Sequence, residues 1–207
     1  GLIDDPDTPA LAGIEALARI SAAGALAAMR SALSGEPSFS LMRPPGHHAG
    51  RDRASGFCYY NGLAAAALSA LKEPGIARIA ILDFDVHHGD GTQGTFWNDP
   101  DVLTVSVHES GRYLFPNSGF ADETGGPDAP GSAVNLALPP EAGDDAYRRV
   151  MAEVVIPAAR AFAPDAIVTQ NGVDHHHADP LSHLRTTMSL YPDLWRQLRE
   201  LADEVCA

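Results

Sequence analysis

Three aspartates and two histidines stand within the eight residues of Asp83–Asp90, directly after the apolar run Ile79–Leu82. On an extended chain every second side chain projects to the same side, so Asp83, Asp85 and His87 would share one face. Carboxylate oxygens and imidazole nitrogens, without a thiolate, are ligands that suit Zn²⁺ or Fe²⁺. The density of such groups favours a metal site over the simpler alternative of a helix cap followed by solvated histidines.

A third ligand must come from another part of the chain, because an open catalytic zinc site uses three protein ligands and a water. Asp174 is the preferred candidate, since it also follows an apolar run, Ala166–Thr169. One of the three residues His175–His177 is the alternative, although consecutive side chains diverge. His108 and His183 are expected to form structural hydrogen bonds.

The adjacent histidines His47 and His48 follow Pro44-Pro45-Gly46, a sequence typical of a rigid turn. Beside a metal-bound water, two imidazoles suit general base and general acid catalysis. Each would need a carboxylate on its outer nitrogen to fix its orientation. Asp83 and Asp90 are available for that task.

The elements that must position these residues alternate between apolar runs and helical stretches. The sequence predicts strands at Phe39–Met42, Ile79–Phe84, Val102–Val107 and Ala166–Thr169, and helices over 10–33, Gly56–Leu71, Gly143–Phe162 with an interruption at Pro157, and Pro192–Val205. The stretch Gly111–Val134 is rich in Gly, Pro, Asn and Asp and is expected to be a long loop, which at that length is usually functional. The alternation predicts an α/β fold with a mainly parallel sheet.

Each polar cluster follows directly after a predicted strand. These clusters are Arg43–His48, Asp83–Gly91, Ser106–His108 and Thr169–Asp174. Ligands of open α/β sheets bind in the crevice beyond the carboxyl ends of the strands, so the four clusters are expected to form one site.

Composition excludes several classes of protein. With 14 Lys and Arg against 27 Asp and Glu, the net charge of −13 disfavours nucleic-acid binding and favours a cationic or neutral substrate. We expect no membrane span, since no apolar run reaches about 18 residues, and the start Gly1–Pro6 lacks the pattern of a signal peptide. Two cysteines, of which Cys58 stands in an apolar setting typical of an inert thiol, fit a reducing, cytoplasmic compartment.

Several motifs together resemble the zinc-dependent histone deacetylase family, especially its bacterial acetoin-utilisation branch. They are RPPGHHA at Arg43–Ala49, GFCYYN at Gly56–Asn61, LDFDVHHGDGTQ at Leu82–Gln93, SVHESGRYLFP at Ser106–Pro116 and GVDHHHADPL at Gly172–Leu181. The motifs occur in the family's order. The resemblance implies the three-layer α/β sandwich of arginases and deacetylases around a mainly parallel sheet.

The resemblance also implies roles for individual residues. It assigns Zn²⁺ to Asp85, His87 and Asp174; the acid-base pair to His47 and His48, supported by Asp83 and Asp90; the substrate channel to Gly56, Phe57 and Phe115; and a structural K⁺ to Asp83, Asp85, His87, Ser106 and Val107. The implied reaction is hydrolysis of the amide of an acetylated lysine, polyamine or small acetylated amine by a metal-activated water. No direct role for nucleic acid or membrane is expected.

One feature of the family is missing from the sequence. Family members carry a Gly-rich segment after the last helix, with a tyrosine that polarises the scissile carbonyl. No tyrosine here has such a context: Tyr59, Tyr60, Tyr113, Tyr147, Tyr191. We therefore expect residues 1–207 to be a single, incomplete deacetylase-like domain, truncated at both ends, with feeble activity on its own.

Two other functions remain as alternatives at this point. The first is a non-catalytic, metal-stabilised domain that binds acyl-lysine or a partner protein. The second is an arginase-like hydrolase with two metal ions, which would need more bridging carboxylates than Asp85 and Asp174 provide.

Overall fold

The computed structural model describes residues 6–206, which divide into two compact units. The first unit holds the described residues up to Ile76 together with Gly89–Phe96, and the second holds Ala77–His88 and the chain from Trp97 onward. Residues 1–5, on which the expectation about the start of the chain depends, and Ala207 lie outside the described residues. That residues 1–207 form one incomplete domain stays a prediction.

The first unit is helical. Its helices are α1 (Ile14–Leu33), α2 (Gly62–Ala70) and α3 (Asp90–Phe96). Helix α1 ends at Ser34 and Gly35, as the sequence predicts. Helices α1 and α2 pack closely because α2 begins with a glycine: a Cβ on Gly62 would lie 3.0 Å from the Cα of Ala22.

The strand predicted at Phe39–Met42 is wrong, because this stretch forms no strand in the structure. The side chains of Phe39 and Leu41 are exposed, so the apolar run has no buried face to stabilise it as a strand. Pro44 and Pro45 follow almost at once, and proline has no N–H to donate to a sheet. The polar cluster around His47 and His48 is therefore on a loop, and no strand precedes it among the described residues from Pro6 onward.

The second helix begins at Gly62 and not at Gly56 as predicted. Ser55 and Cys58 exchange two backbone hydrogen bonds across a tight turn, with positive φ at both Gly56 and Phe57. Such a turn is incompatible with a helix. The helix starts only where Asn61 caps it, its side-chain oxygen accepting from the backbone N–H of Ala64 at 2.9 Å.

The second unit contains a parallel four-stranded sheet in the order β3-β2-β1-β4, counted over the described residues. The strands are β1 (Ile79–Asp83), β2 (Val102–Glu109), β3 (Ala133–Leu138) and β4 (Ala166–Gln170). Every residue of β1 and β2 is buried, as their continuous apolar runs predict. The loop predicted over Gly111–Val134 runs two residues into β3, a strand that the sequence analysis missed.

Helices of the second unit cover one face of this sheet. They are α4 (Asp144–Val150), α5 (Ile156–Phe162) and α6 (Leu190–Val205), and a π-helical segment, Met151–Val155, joins α4 to α5. The widened turn stands just before Pro157, whose ring and missing N–H disturb a regular helix, so the predicted interruption is confirmed. Buried Tyr147, Leu194 and Leu201 pack in one core with alternate residues of β1 and β2.

The sheet positions the site through its strand ends. Strands β1 and β4 are neighbours, and Asp83 at the end of β1 is the partner of Gln170 at the end of β4. The loops that follow these two strands therefore leave the same edge of the sheet side by side. In the described part of the chain, no helix is long and apolar enough to cross a membrane.

Candidate metal centre and acid-base pair

The loops after β1 and β4 bring together Asp85, His87 and Asp174. One ligand atom from each residue lies within 4.8 Å of the others. The Nδ1 atom of His87 is 3.0 Å from an oxygen of Asp85 and 3.1 Å from an oxygen of Asp174. The three side chains are half-buried, so the cluster is open to solvent on one side.

This donor set fits a divalent cation of the Zn²⁺ class. Ligands held at about 2.0–2.1 Å in a tetrahedral arrangement stand about 3.3 Å apart, close to the separations found around His87. Two carboxylates and one imidazole also leave a fourth position for water, as in catalytic sites. Burial lowers the pKa of His87, but hydrogen bonds to Asp174 and Asp85 and the two negative charges raise it to about 10. A proton therefore occupies the place between the carboxylates that a cation would take.

Backbone hydrogen bonds shape the loop that carries Asp85 and His87. Asp83 accepts from the N–H of Asp85 at 3.0 Å, and Asp85 accepts from the N–H of His87 at 2.9 Å. Asp174 accepts from the N–H of Val86 at 3.0 Å and so ties the second loop to the first. Asp83 ends β1 and supports the loop from behind, outside the ligand group.

A close approach of two backbones sets the position of Asp85. A Cβ on Gly172 would lie 2.6 Å from the Cα of Asp85 and 2.7 Å from its Cγ, where no side chain fits. Glycine is therefore required at 172 for the loop after β4 to reach the loop after β1. Sequence analysis missed this residue, and its place two residues before Asp174 was the available signal.

The histidine triplet does not enter the ligand group found in the described residues. His175 is fully buried and stacked between Tyr147 and Tyr191, with ring centroids 4.7 and 5.2 Å away. Burial lowers the pKa of His175. His177 is exposed. Of the two candidates for the third ligand, the geometry thus favours Asp174.

His108 and His183 form hydrogen bonds, as expected. The Nε2 of His108 donates to the carbonyl of Gly119 at 2.9 Å, so its Nδ1 accepts from Ser106 at 2.8 Å. Burial and the nearby His88 lower the pKa of His108 to about 4. His183 contacts a buried carboxylate that the sequence analysis missed: Glu109 accepts from its backbone N–H at 2.8 Å and from its ring at 2.7 Å.

The predicted acid-base pair lies in the first unit. His47 and His48 are both buried, and their ring centroids are 4.0 Å apart. The Nδ1 of His48 is 2.7 Å from an oxygen of Asp90, the first residue of α3. This contact is the carboxylate-imidazole pair that the sequence predicts for one of the two histidines. The role of Asp83 toward the other stays a prediction.

Of the residues assigned to the substrate channel, Phe57 and Phe115 have exposed side chains, whereas Gly56 is buried. In the first unit, Phe57 has φ of 65° in the turn after Gly56, and its ring is exposed. Few non-glycine residues adopt this conformation, which indicates a constrained position. In the second unit, the ring of Phe115 stands edge-on to that of His87, with centroids 6.4 Å apart.

The residues assigned to a monovalent cation are neighbours in the second unit. Asp83 and Ser106 are paired residues of β1 and β2, and both are buried. Val107 is the next residue of β2 and is fully buried. The cation itself stays a prediction.

The parallel sheet and the Asp-His-Asp group beyond its strand ends define a class of α/β proteins with an open metal centre. A family model described as Histone deacetylase domain matches residues 2–207. The chain belongs to the histone deacetylase domain family, which confirms the assignment made from the motifs and the predicted α/β fold.

The chain is similar to named relatives across most of its length. It is 41% identical over 181 residues to "Histone deacetylase 14, chloroplastic" from Arabidopsis thaliana, covering 87% of this chain and 42% of that protein. It is 39% identical over 201 residues to "Acetoin utilization protein AcuC" from Bacillus subtilis, covering 97% of this chain and 52% of that protein. The chain thus spans about half the length of these relatives.

Solved structures are similar as well. The crystal structure of the HDA15 HD domain superposes with a TM-score of 0.84 at 37% identity, covering 89% of this chain and 53% of that one. An acetylpolyamine aminohydrolase from Burkholderia pseudomallei gives a TM-score of 0.80 at 40% identity, covering 84% and 51%.

Proposed function

We propose that the protein hydrolyses the amide bond of an acetylated amine at a Zn²⁺ site formed by Asp85, His87 and Asp174. The observation that carries this proposal is the convergence of these three ligands in a chain of the histone deacetylase domain family. Relatives named as deacetylases and as an acetylpolyamine aminohydrolase support an acetylated lysine or polyamine as the substrate class. A small acetylated amine also fits, and the net negative charge suits a cationic carrier. A cytoplasmic location is part of the same proposal.

Individual residues of the chain have separate roles in the proposed reaction. When bound, a divalent cation supplies Lewis-acid polarisation of the carbonyl and lowers the pKa of a water. The Nδ1 of His48 contacts Asp90, so Nε2 is the atom that we assign to proton exchange. We propose that His47 accepts the proton of the attacking water and that His48 donates one from Nε2 to the leaving amine. Phe57 and Phe115 would contact the carrier.

The test is turnover of an acetyl-lysine peptide and an acetylated polyamine by the zinc-loaded, full-length protein. His48→Ala is expected to lower turnover by roughly 10²–10⁴-fold while metal content is retained. Asp174→Asn is expected to lose the metal. The matched control is His177→Ala, which removes an exposed imidazole from outside the ligand group and should change neither quantity.

Three results would count against the proposal. Full turnover by His48→Ala would remove the assigned acid-base role. Two metal ions per chain would favour the arginase-like alternative. A wild-type protein that binds one ion and turns over neither substrate would favour a metal-stabilised binding domain.

A further inference from the structure

The side chain of Arg53 donates a hydrogen bond to Asp90, the same carboxylate that contacts His48. Its Nη2 atom donates to Oδ2 of Asp90 at 2.5 Å, while Oδ1 of the same carboxylate is 2.7 Å from Nδ1 of His48. The side chain of Asp90 is largely buried and that of His48 almost wholly so, whereas Arg53 is 61% exposed. One carboxylate is thus shared between an imidazole and a guanidinium.

Local backbone contacts hold this arrangement in place. The N–H of Gly50 donates to the carbonyl of Arg53 at 2.9 Å, which turns the loop back toward α3. The start of α3 is pressed against the loop after His48, since a Cβ on Gly91 would lie 2.5 Å from the carbonyl carbon of His48. The N–H of Thr92 also donates to the carbonyl of His47 at 3.0 Å. Loop and helix are therefore fixed to each other on both sides of the ion pair.

We propose that Arg53 is a positioning residue that limits the proton affinity of His48 by sharing the charge of Asp90. This inference rests on the acid-base role proposed above for His48. A carboxylate alone beside an imidazole favours the protonated ring. A guanidinium on the second oxygen holds the carboxylate in its plane and draws part of its charge away from the ring. Arg53 thus opposes the increase in the proton affinity of His48 that Asp90 alone would cause.

Two other groups, His47 and Asn61, lie near His48 and Asp90, and the experiment separates their effects from that of Arg53. His47, whose ring centroid is 4.0 Å from that of His48, disfavours protonation of its neighbour when it is itself charged. At the N-cap of α2, the neutral amide of Asn61 donates to the carbonyl of Ala49 at 3.4 Å and to the hydroxyl of Thr92 at 3.0 Å. Both are unchanged when Arg53 is replaced, so a shift on replacement reports the guanidinium.

The sign of the effect follows from the charge. Arg53→Met leaves the whole negative charge of Asp90 facing His48, so the pKa of the imidazole rises. The limb of the pH-rate profile that reports His48 moves to higher pH with it. We expect an upward shift of about 0.5–1 pH unit, a size reduced by the solvent exposure of Arg53.

The experiment measures the pKa of His48 directly, by NMR titration of ¹⁵N-labelled histidine in the zinc-loaded protein, together with the pH profile of kcat/KM. The variants are Arg53→Met, Arg53→Lys and the matched control Arg51→Met. Arg51 is an exposed arginine two residues away whose side chain donates to the carbonyl of Thr95 at 3.2 Å. Its replacement removes the same charge from the same loop without touching the contact between Arg53 and Asp90.

Support for the proposal is a raised pKa in Arg53→Met, with Arg53→Lys and Arg51→Met both near the wild-type value. Equal shifts in Arg53→Met and Arg51→Met would overturn it, because they would show a general effect of surface charge. An unchanged pKa in Arg53→Met would overturn it as well. Absence of turnover in the zinc-loaded wild type would instead count against the proposed function, and the NMR titration would still decide the role of Arg53.

Discussion

Replacement of Gly172 by alanine is the sharpest test of how the metal centre is built. The added Cβ would lie 2.6 Å from the Cα of Asp85, whereas carbon atoms in ordinary contact stand about 3.5–4.0 Å apart. The loops after β1 and β4 would therefore have to separate by about 1 Å. Metal-ligand distances tolerate deviations of only about 0.2 Å from their ideal values. Asp85 and Asp174, which stand on opposite sides of this separation, could not then hold one ion together.

We expect Gly172→Ala to weaken zinc binding by at least about 100-fold. This is the upper end of the loss in metal affinity that follows when a residue in contact with a metal ligand is replaced. Overpacking of this kind also lowers the free energy of unfolding by about 1–3 kcal/mol. The assays are competition against a chromophoric zinc chelator and urea unfolding of the metal-free protein. Measured together, they separate a lost ligand geometry from a general loss of stability.

The matched control is Gly94→Ala in α3. A Cβ on Gly94 meets nothing within 4 Å, and alanine is favoured over glycine in a helix by about 0.5–1 kcal/mol. This variant should bind zinc like the wild type and be equally or more stable. A displaced ligand lowers metal affinity by much more than about threefold. If Gly172→Ala folds and its zinc affinity is within about threefold of the wild-type value, the argument that a Cβ at position 172 separates the two loops is refuted.

Three further predictions concern protons and a buried carboxylate. Because the pKa of His87 is about 10 without metal, zinc must displace its proton; calorimetry in buffers of different ionisation enthalpy should show about one proton released at pH 7, and affinity rising with pH. The pKa of His108 is lowered to about 4 in the fold, so the unfolded chain binds its proton first; stability should fall between about pH 6.5 and 4, and His108→Asn should reduce this dependence in urea unfolding. His183→Ala removes the ring from the buried carboxylate of Glu109 and should cost about 1–3 kcal/mol in the same assay, whereas an unchanged value would show that water replaces the ring.

The fold and the convergence of Asp85, His87 and Asp174 could be predicted because both leave signals that are local in sequence. The apolar run Ile79–Leu82 forms most of a strand buried on both faces, and the polar residues from Asp83 onward must then lie at the strand end. The spacing of Asp85 and His87 predicts a shared site, and Asp174 has the same relation to its own strand. The reason for convergence differs from the predicted one, since β1 ends at Asp83 and a hydrogen-bonded loop carries the two ligands.

The errors have physical causes that spacing does not reveal. Phe39–Met42 has the residue types of a strand, but a strand also needs a partner and a buried face, and this stretch has exposed side chains. Ala133–Leu138 is only partly buried and follows a long loop, so its sequence gives a weak signal. Gly172, Arg53 and Glu109 act through contacts with residues distant in sequence, which only the folded chain brings together.

The charge balance of the metal-free centre explains how these ligands can converge before an ion is bound. Asp85 and Asp174 would repel each other, but His87 lies between them at 3.0 and 3.1 Å and carries a proton at neutral pH. The fold therefore holds the ligand atoms near their working positions by using the imidazolium as a substitute cation. Binding a divalent ion exchanges one positive charge for two and changes the centre from net negative to neutral, with neutral His87 as a ligand. The centre thus favours a cation by charge as well as by geometry, and acid should release the ion by restoring the proton to His87.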